Sequence, residues 1–300
     1  MADDMDELYP YRRSIVDELF IKTADDNYVT ARWCYANGFD VDFFWLAVHA
    51  LEKYLKAVLL LNGRSGKEAT VTGKKWNYRH DIVLLYADVK PLAPELLPAA
   101  LTCPSEIDDP LWHDATPEQF VQRLYDMGHA GNRYQLTGYV LREGDLFKLD
   151  QLVFAVRRLC GPLEAHFLGK KRASLPDESF RQRMIKDHPV SANLHSRLEE
   201  TMKGKRGHEA QHALLNYNFP FAPKDYEHTT MRGLLVSSSN PVLLRRVIEP
   251  LDAGKPEYDK HADALWQWTK DNIHLPKEFI EAYEAERAKR RTAAKNKSNS

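Results

Sequence analysis

His208-Glu209-Ala210-Gln211-His212 is an HExxH string. On a helix its two imidazoles fall one turn apart on one face. There they can hold zinc, with the glutamate as general base toward a metal-bound water. The surroundings favour a plainer reading. Lys203-Gly204-Lys205-Arg206-Gly207 precedes the string, so a polar, flexible stretch stands where a zinc hydrolase has a buried helix. Leu215 and Asn218 occupy places where the longer zinc-protease motif wants Gly and His. Asp225, Glu227 and His228 offer third ligands at no diagnostic spacing. His208 and His212 are therefore expected to be metal-free, in a helix that starts after Gly207 and turns Leu214 and Leu215 inward. Zinc-dependent hydrolysis is the alternative. Cys34, Cys103 and Cys160 are far apart and form no CxxC pair, which fits reduced thiols better than a disulfide framework or a cysteine zinc site. No cofactor is expected.

The elements that must position any site read as helices. Phe20, Ile21, Ala24, Tyr28, Ala31 and Tyr35 recur at three- and four-residue steps, and Asn37-Gly38 ends that helix. Asp40 and Asp42 offer caps for the next segment, Phe43 to Leu61, which is apolar nearly all round and stops at Asn62-Gly63. It is expected at the centre of a bundle. Gly63 to Trp76 reads as a polar loop, and Asp81 to Val89 as a short helix before Pro91. Thr116, Pro117 and Gln119 spell a capping box opening a helix to about Gly128. Another helix is expected from about 146 to 160. The predicted organisation is a mostly α chain. An N-terminal antiparallel bundle over 1–168 is followed by a linker over 169–179, a helical region over 180–286, and a basic, disordered tail over 287–300.

The order of motifs in the first half resembles the HEPN family. The residues that carry it are Glu52, Lys53 and Lys56 within FFWLAVHALEKYLKAVLLLNG, then His80, Asp81 and Ile82, then Arg133 and Tyr134. The resemblance spans about residues 20–168. It implies an up-and-down helical bundle, often paired as a homodimer. It also implies engagement of nucleotide or RNA, frequently in toxin–antitoxin or phage-defence systems with a cognate partner protein. The binding residues it points to are Lys53, Lys56, His80, Arg133 and Tyr134. Their chemistry is compatible: Lys53 and Lys56 share a helix face, Arg offers a planar fork to phosphate, and Tyr134 can stack on a base. A plainer alternative pairs Glu52 with Lys56 on a solvated face, leaves His80 to cap the short helix and has Arg133 hold a loop.

Many HEPN proteins are metal-independent ribonucleases that place an Arg four to six residues before a His near the last bundle helix. Arg133 stands near that place, but Gly138, Tyr139 and Val140 follow at the matching distances, and none is His. Among other Arg–His pairs at this spacing, including Arg123/His129, Arg183 with His188 has the best form. It lies beyond the linker, as the candidate pair of a ribonuclease alternative.

Composition narrows the classes further. The 300 residues are 43% hydrophobic and 28% charged, enough for a packed core and against overall disorder. The longest apolar run is far short of the roughly 20 residues a spanning helix needs. MADDMDEL lacks a basic-then-apolar leader, so a cytoplasmic protein with no membrane partner is expected. Residues 1–170 hold 19 basic against 25 acidic side chains, and residues 171–300 hold 23 against 18. Six basic residues fall within 287–300, so the basic character is terminal and not spread over a folded face.

Overall fold

A computed structural model describes residues 7–71, 74–103, 112–129, 132, 138–142, 144–161 and 241–298. The fold is mostly helical. A first helix, α1 (Tyr9–Val16), passes through a π-helical turn at Asp17–Ile21 directly into α2 (Lys22–Ala36). Asn37 and Gly38 then reverse the chain, Gly38 with φ 73°, in the left-handed region that glycine adopts without strain. Helix α3 (Asp40–Leu61) runs back along α2, and Tyr35 meets Phe43 edge-on across the turn at 4.9 Å. Thirteen of its 22 residues are buried, Phe43, Leu51, Tyr54, Leu55 and Leu59 among them. The central place expected for this segment is where it lies.

Helices α4 (Ile82–Val89), α5 (Pro117–Gly128) and α6 (Asp145–Arg157) complete the first part. Asp81 caps α4 by accepting from the Val83 and Leu84 amides. Both halves of the Thr116–Gln119 capping box are formed at the start of α5. Helix α6 is buried at eleven of thirteen residues, a larger share than α3, although four of the eleven are charged. Arg123 pairs with Asp145 and Lys148 lies over the Trp112 ring, while two reciprocal ion pairs account for Asp150 and Arg157. Arg32 on α2 reaches Asp150 on α6, while Arg157 on α6 reaches Asp25 on α2, with Nε to Oδ1 at 2.8 Å. Asp25 and Arg32 are two turns apart, as are Asp150 and Arg157, so the crossed pairs fix α2 and α6 antiparallel. A buried tyrosine completes each carboxylate: Tyr28 donates to Asp150, and Tyr54 on α3 donates to Asp25 at 2.5 Å. Burial first, and then the adjacent carboxylate, raise both phenol pKa values well above the ordinary range.

Two expectations are corrected. The stretch expected as a polar loop after Gly63 contains an antiparallel hairpin, β1 (Glu68–Val71) with β2 (Lys74–Asn77), in register Glu68 to Asn77. Four-residue strands contain too few alternations for a period of two to show. The tail expected to be disordered from 287 is part of a helix, α8 (Lys277–Ser298). Its arginines are paired: Arg287 and Arg291 share Asp263, and Arg290 bridges Glu286 and Asp252. Arg287 is buried, with its guanidinium also donating to the Val247 carbonyl.

Residues 241–298 do not form a core of their own. A helical turn widening to π geometry at Leu244–Ile248 and helix α7 (Pro256–Asn272) bury Val242, Val247, Leu265 and Trp266 in the same apolar cluster as α1 to α6. Arg245 pairs with Glu18, Arg246 donates to the Ser14 hydroxyl at 3.2 Å, and the Gly66 amide donates to the Asn272 carbonyl at 3.1 Å. The expected linker at 169–179 and residues up to 240 lie outside the described residues. Among the described residues, no helix is long and apolar enough to cross a membrane.

Candidate functional site

Helix α3 turns one buried carboxylate away from the core. Glu52 is 6% exposed, and three basic groups converge on it. Lys56, one turn on, donates from Nζ to Oε1 at 2.6 Å. His80 places Nδ1 3.1 Å from Oε2, and His49 places Nδ1 3.6 Å from the same oxygen, beyond a good hydrogen bond but within ion-pair reach. Burial pushes the Glu52 carboxyl up, but His49, Lys56 and His80 together outweigh it and hold it at about 2. An ionised carboxylate only accepts, so the His80 ring carries its proton on Nδ1 and turns Nε2 outward.

The segment Tyr78-Arg79-His80-Asp81 is pinned at every residue. Tyr78 is buried and donates to Asp88. The Arg79 carbonyl accepts from Lys56 Nζ at 2.8 Å, His80 holds Glu52, and Asp81 caps α4. Arg79 has φ 47°, the one left-handed non-glycine residue among the described residues. Such a conformation costs a residue with a Cβ about 1 kcal/mol or more and persists where the surroundings enforce it. Here the Lys56 bond to its carbonyl and the two flanking anchors do so. No described residue pairs with its guanidinium.

These groups line a groove of about 760 Å³. Helix α3 contributes Trp45 and His49, the pinned segment contributes Arg79 and His80, and the end of α5 contributes Tyr125, Asp126 and His129. His49 stands edge-on to Trp45 with centroids 4.1 Å apart, and its ring centroid is 6.2 Å from that of His80. The α5 wall stands close because of Gly128. A Cβ there would lie 2.3 Å from the Phe44 carbonyl oxygen on α3, so no side chain fits. The arrangement can take an anion on Arg79, exchange protons through two imidazoles that share one carboxylate, and stack a flat group against Trp45 or Tyr125.

Of the residues singled out from the sequence, Lys56 and His80 come together on Glu52. The plainer alternative is half right: the Glu52–Lys56 pair exists, but Glu52 is buried, and Asp81 rather than His80 caps α4. Lys53 does not join them. Its Nζ turns to α2, donating to Asn27 Oδ1 at 3.0 Å, and burial lowers its pKa. Arg133, Tyr134, Arg183, His188, His208 and His212 lie outside the described residues. Arg123, spaced to pair with His129, instead makes a two-pronged bond to buried Asp145, with Nη2 to Oδ2 at 2.7 Å. Sequence reasoning missed His49, Arg79 and the groove's aromatic wall. The signal for His49 was its place three residues before Glu52 on one helix face; Arg79 had none beyond its neighbour His80. Among the described residues no group of three or more His, Cys, Asp or Glu side chains is placed to hold a metal ion. No family model, curated protein or solved structure matches this chain.

Proposed function

We propose that the groove between α3, the pinned segment and α5 engages a phosphate-bearing nucleotide or RNA, as the HEPN resemblance implies. The observation that carries this reading is Arg79. Its backbone is held in a costly conformation at the rim, its guanidinium has no acidic partner among the described residues, and the imidazoles of His49, His80 and His129 and the rings of Trp45 and Tyr125 stand around the same space. Arginine suits phosphate because its planar fork can donate two parallel hydrogen bonds. The volume falls in the range of about 300–1,000 Å³ typical of small-molecule sites. Lys56 acts one step back, setting Glu52 and the Arg79 carbonyl rather than meeting the ligand.

Fluorescence anisotropy with a labelled oligouridylate and with a labelled adenosine monophosphate tests this. Arg79→Gln retains the left-handed strain and removes the charge. It is expected to weaken binding by about 10- to 100-fold, the loss of one or two charge-assisted hydrogen bonds, with little change in Tm. Unchanged affinity would reject the groove as the site. The homodimer that the resemblance implies is tested separately by sedimentation equilibrium, where a monomer at all concentrations counts against it.

A further inference from the structure

We propose that the groove is also a catalytic site, hydrolysing phosphate monoesters through a phosphohistidine on His80, with His49 as the acid and base. This rests on the reading of the groove as a nucleotide site and adds a reaction to it.

The roles follow from how the two imidazoles are held. His80 is the more open, its side chain 73% exposed, with Nδ1 bound to Glu52. That leaves the Nε2 lone pair facing the groove, next along the chain to Arg79. A histidine can act as a nucleophile when its other nitrogen is fixed by an acceptor. His49 is 22% exposed and set against Trp45. It turns its own Nδ1 to the same carboxylate, so both rings present Nε2 outward. One buried carboxylate thus serves two imidazoles, and it is ionised in both steps. Phosphoryl transfer asks little covalent chemistry of a protein beyond in-line positioning and charge to spread over the equatorial oxygens. Arg79 supplies that charge.

In the first step the His80 Nε2 lone pair forms a bond to phosphorus. The bond from phosphorus to the ester oxygen breaks, its electron pair goes to that oxygen, and His49 gives the oxygen its Nε2 proton. A free alcohol leaves, here a nucleoside whose base lies on the aromatic wall. The phosphorylated His80 ring is positive, and Glu52 beside Nδ1 offsets that charge. In the second step water gives a proton to His49 Nε2 and its oxygen bonds to phosphorus. The N–P bond breaks, and its electron pair returns to His80. Inorganic phosphate leaves, and both rings are restored. Glu52 is a positioning residue, since it touches the imidazoles and not the ester.

The full chain is incubated with phosphorus-32-labelled adenosine monophosphate, with and without chelator, while calorimetry measures binding on the same preparation. Phosphate release and a protein-bound label that is stable in alkali and labile in acid are expected, unaffected by chelator. His80→Gln should abolish both while still binding the nucleotide. His49→Gln should slow release by about 100- to 10,000-fold, the usual range for a lost proton-transfer group. Nucleotide binding without release or label would overturn the catalytic proposal and leave the binding reading standing. Label that persists in His80→Gln would overturn the assignment of the nucleophile. Absence of any binding would remove both readings together.

Discussion

Asp150 is fully buried and accepts from Tyr28 and Arg32. Asp150→Ala leaves Arg32 buried without its counter-charge. Chemical denaturation should show a loss of about 3–5 kcal/mol, while Arg32→Met with Asp150→Leu together should recover most of it, since an apolar pair of similar volume needs no desolvation. Glu52 poses a different test. Its carboxyl sits at about 2 in the fold against an ordinary value of 4.5. A carboxyl depressed by folding stabilises at every pH above its unfolded value, and that stability is lost as pH falls from about 4.5 through about 2. The contribution is on the order of 3 kcal/mol, at about 1.4 kcal/mol per unit. In Glu52→Gln the stability curve should be flatter across that window by this amount. An unchanged acid slope would mean that His49, Lys56 and His80 do not hold the carboxylate as described.

At the scale of elements, the groove depends on how closely α5 approaches α3. Gly128 permits that approach, because its Cα faces the Phe44 backbone with no room for a methyl group. Gly128→Ala must push the helices apart. A loss of about 1–3 kcal/mol is expected, typical of overpacking, together with weaker nucleotide binding as Tyr125 and His129 move from Trp45 and His80. A crystal structure of the variant with an unchanged α3–α5 spacing would contradict this. The entry to α5 is set independently. Thr116→Ala removes one half of a complete capping box and should cost about 1 kcal/mol with binding unaffected, because the lost contact is a full helix length from the groove.

For the whole molecule, the question is whether residues 241–298 are a separate unit. Trp266 and Leu265 lie in the same buried cluster as α1 to α6, and Arg246 ties the segment to α1 and Arg245 to the π-helical turn after it. Trp266→Ala should therefore destabilise the protein by about 3–5 kcal/mol and lower the melting temperature of α1 to α6 with it. Calorimetry should record this as one shifted transition for the described core. A variant in which a second transition moves alone would show that the C-terminal helices fold apart.

The sequence by itself determined several of the helices and their ends. The 3.6-residue spacing of Ala24, Tyr28, Ala31 and Tyr35, the Asn-Gly stops at 37–38 and 62–63, and the Thr116 capping box are local signals, each read within one or two turns. The family resemblance grouped Lys53, Lys56, His80, Arg133 and Tyr134, and of these the structure brings Lys56 and His80 together on Glu52. Only the tertiary structure decided what those residues do. Whether Lys53 or Lys56 meets His80 depends on the rotation of α3 against α2, and that rotation is set by core packing summed over the whole helix. Asp25, Arg32, Asp150 and Arg157 look like solvated charges in the sequence, because an ion pair between α2 and α6 joins residues more than a hundred positions apart. The end of the final helix, from 287 on, looks disordered for the same reason: its arginines are a repelling tail until Asp252 and Asp263 are brought alongside. Arg79 takes its left-handed form only because Lys56 and the residues on either side of it are held elsewhere in the fold.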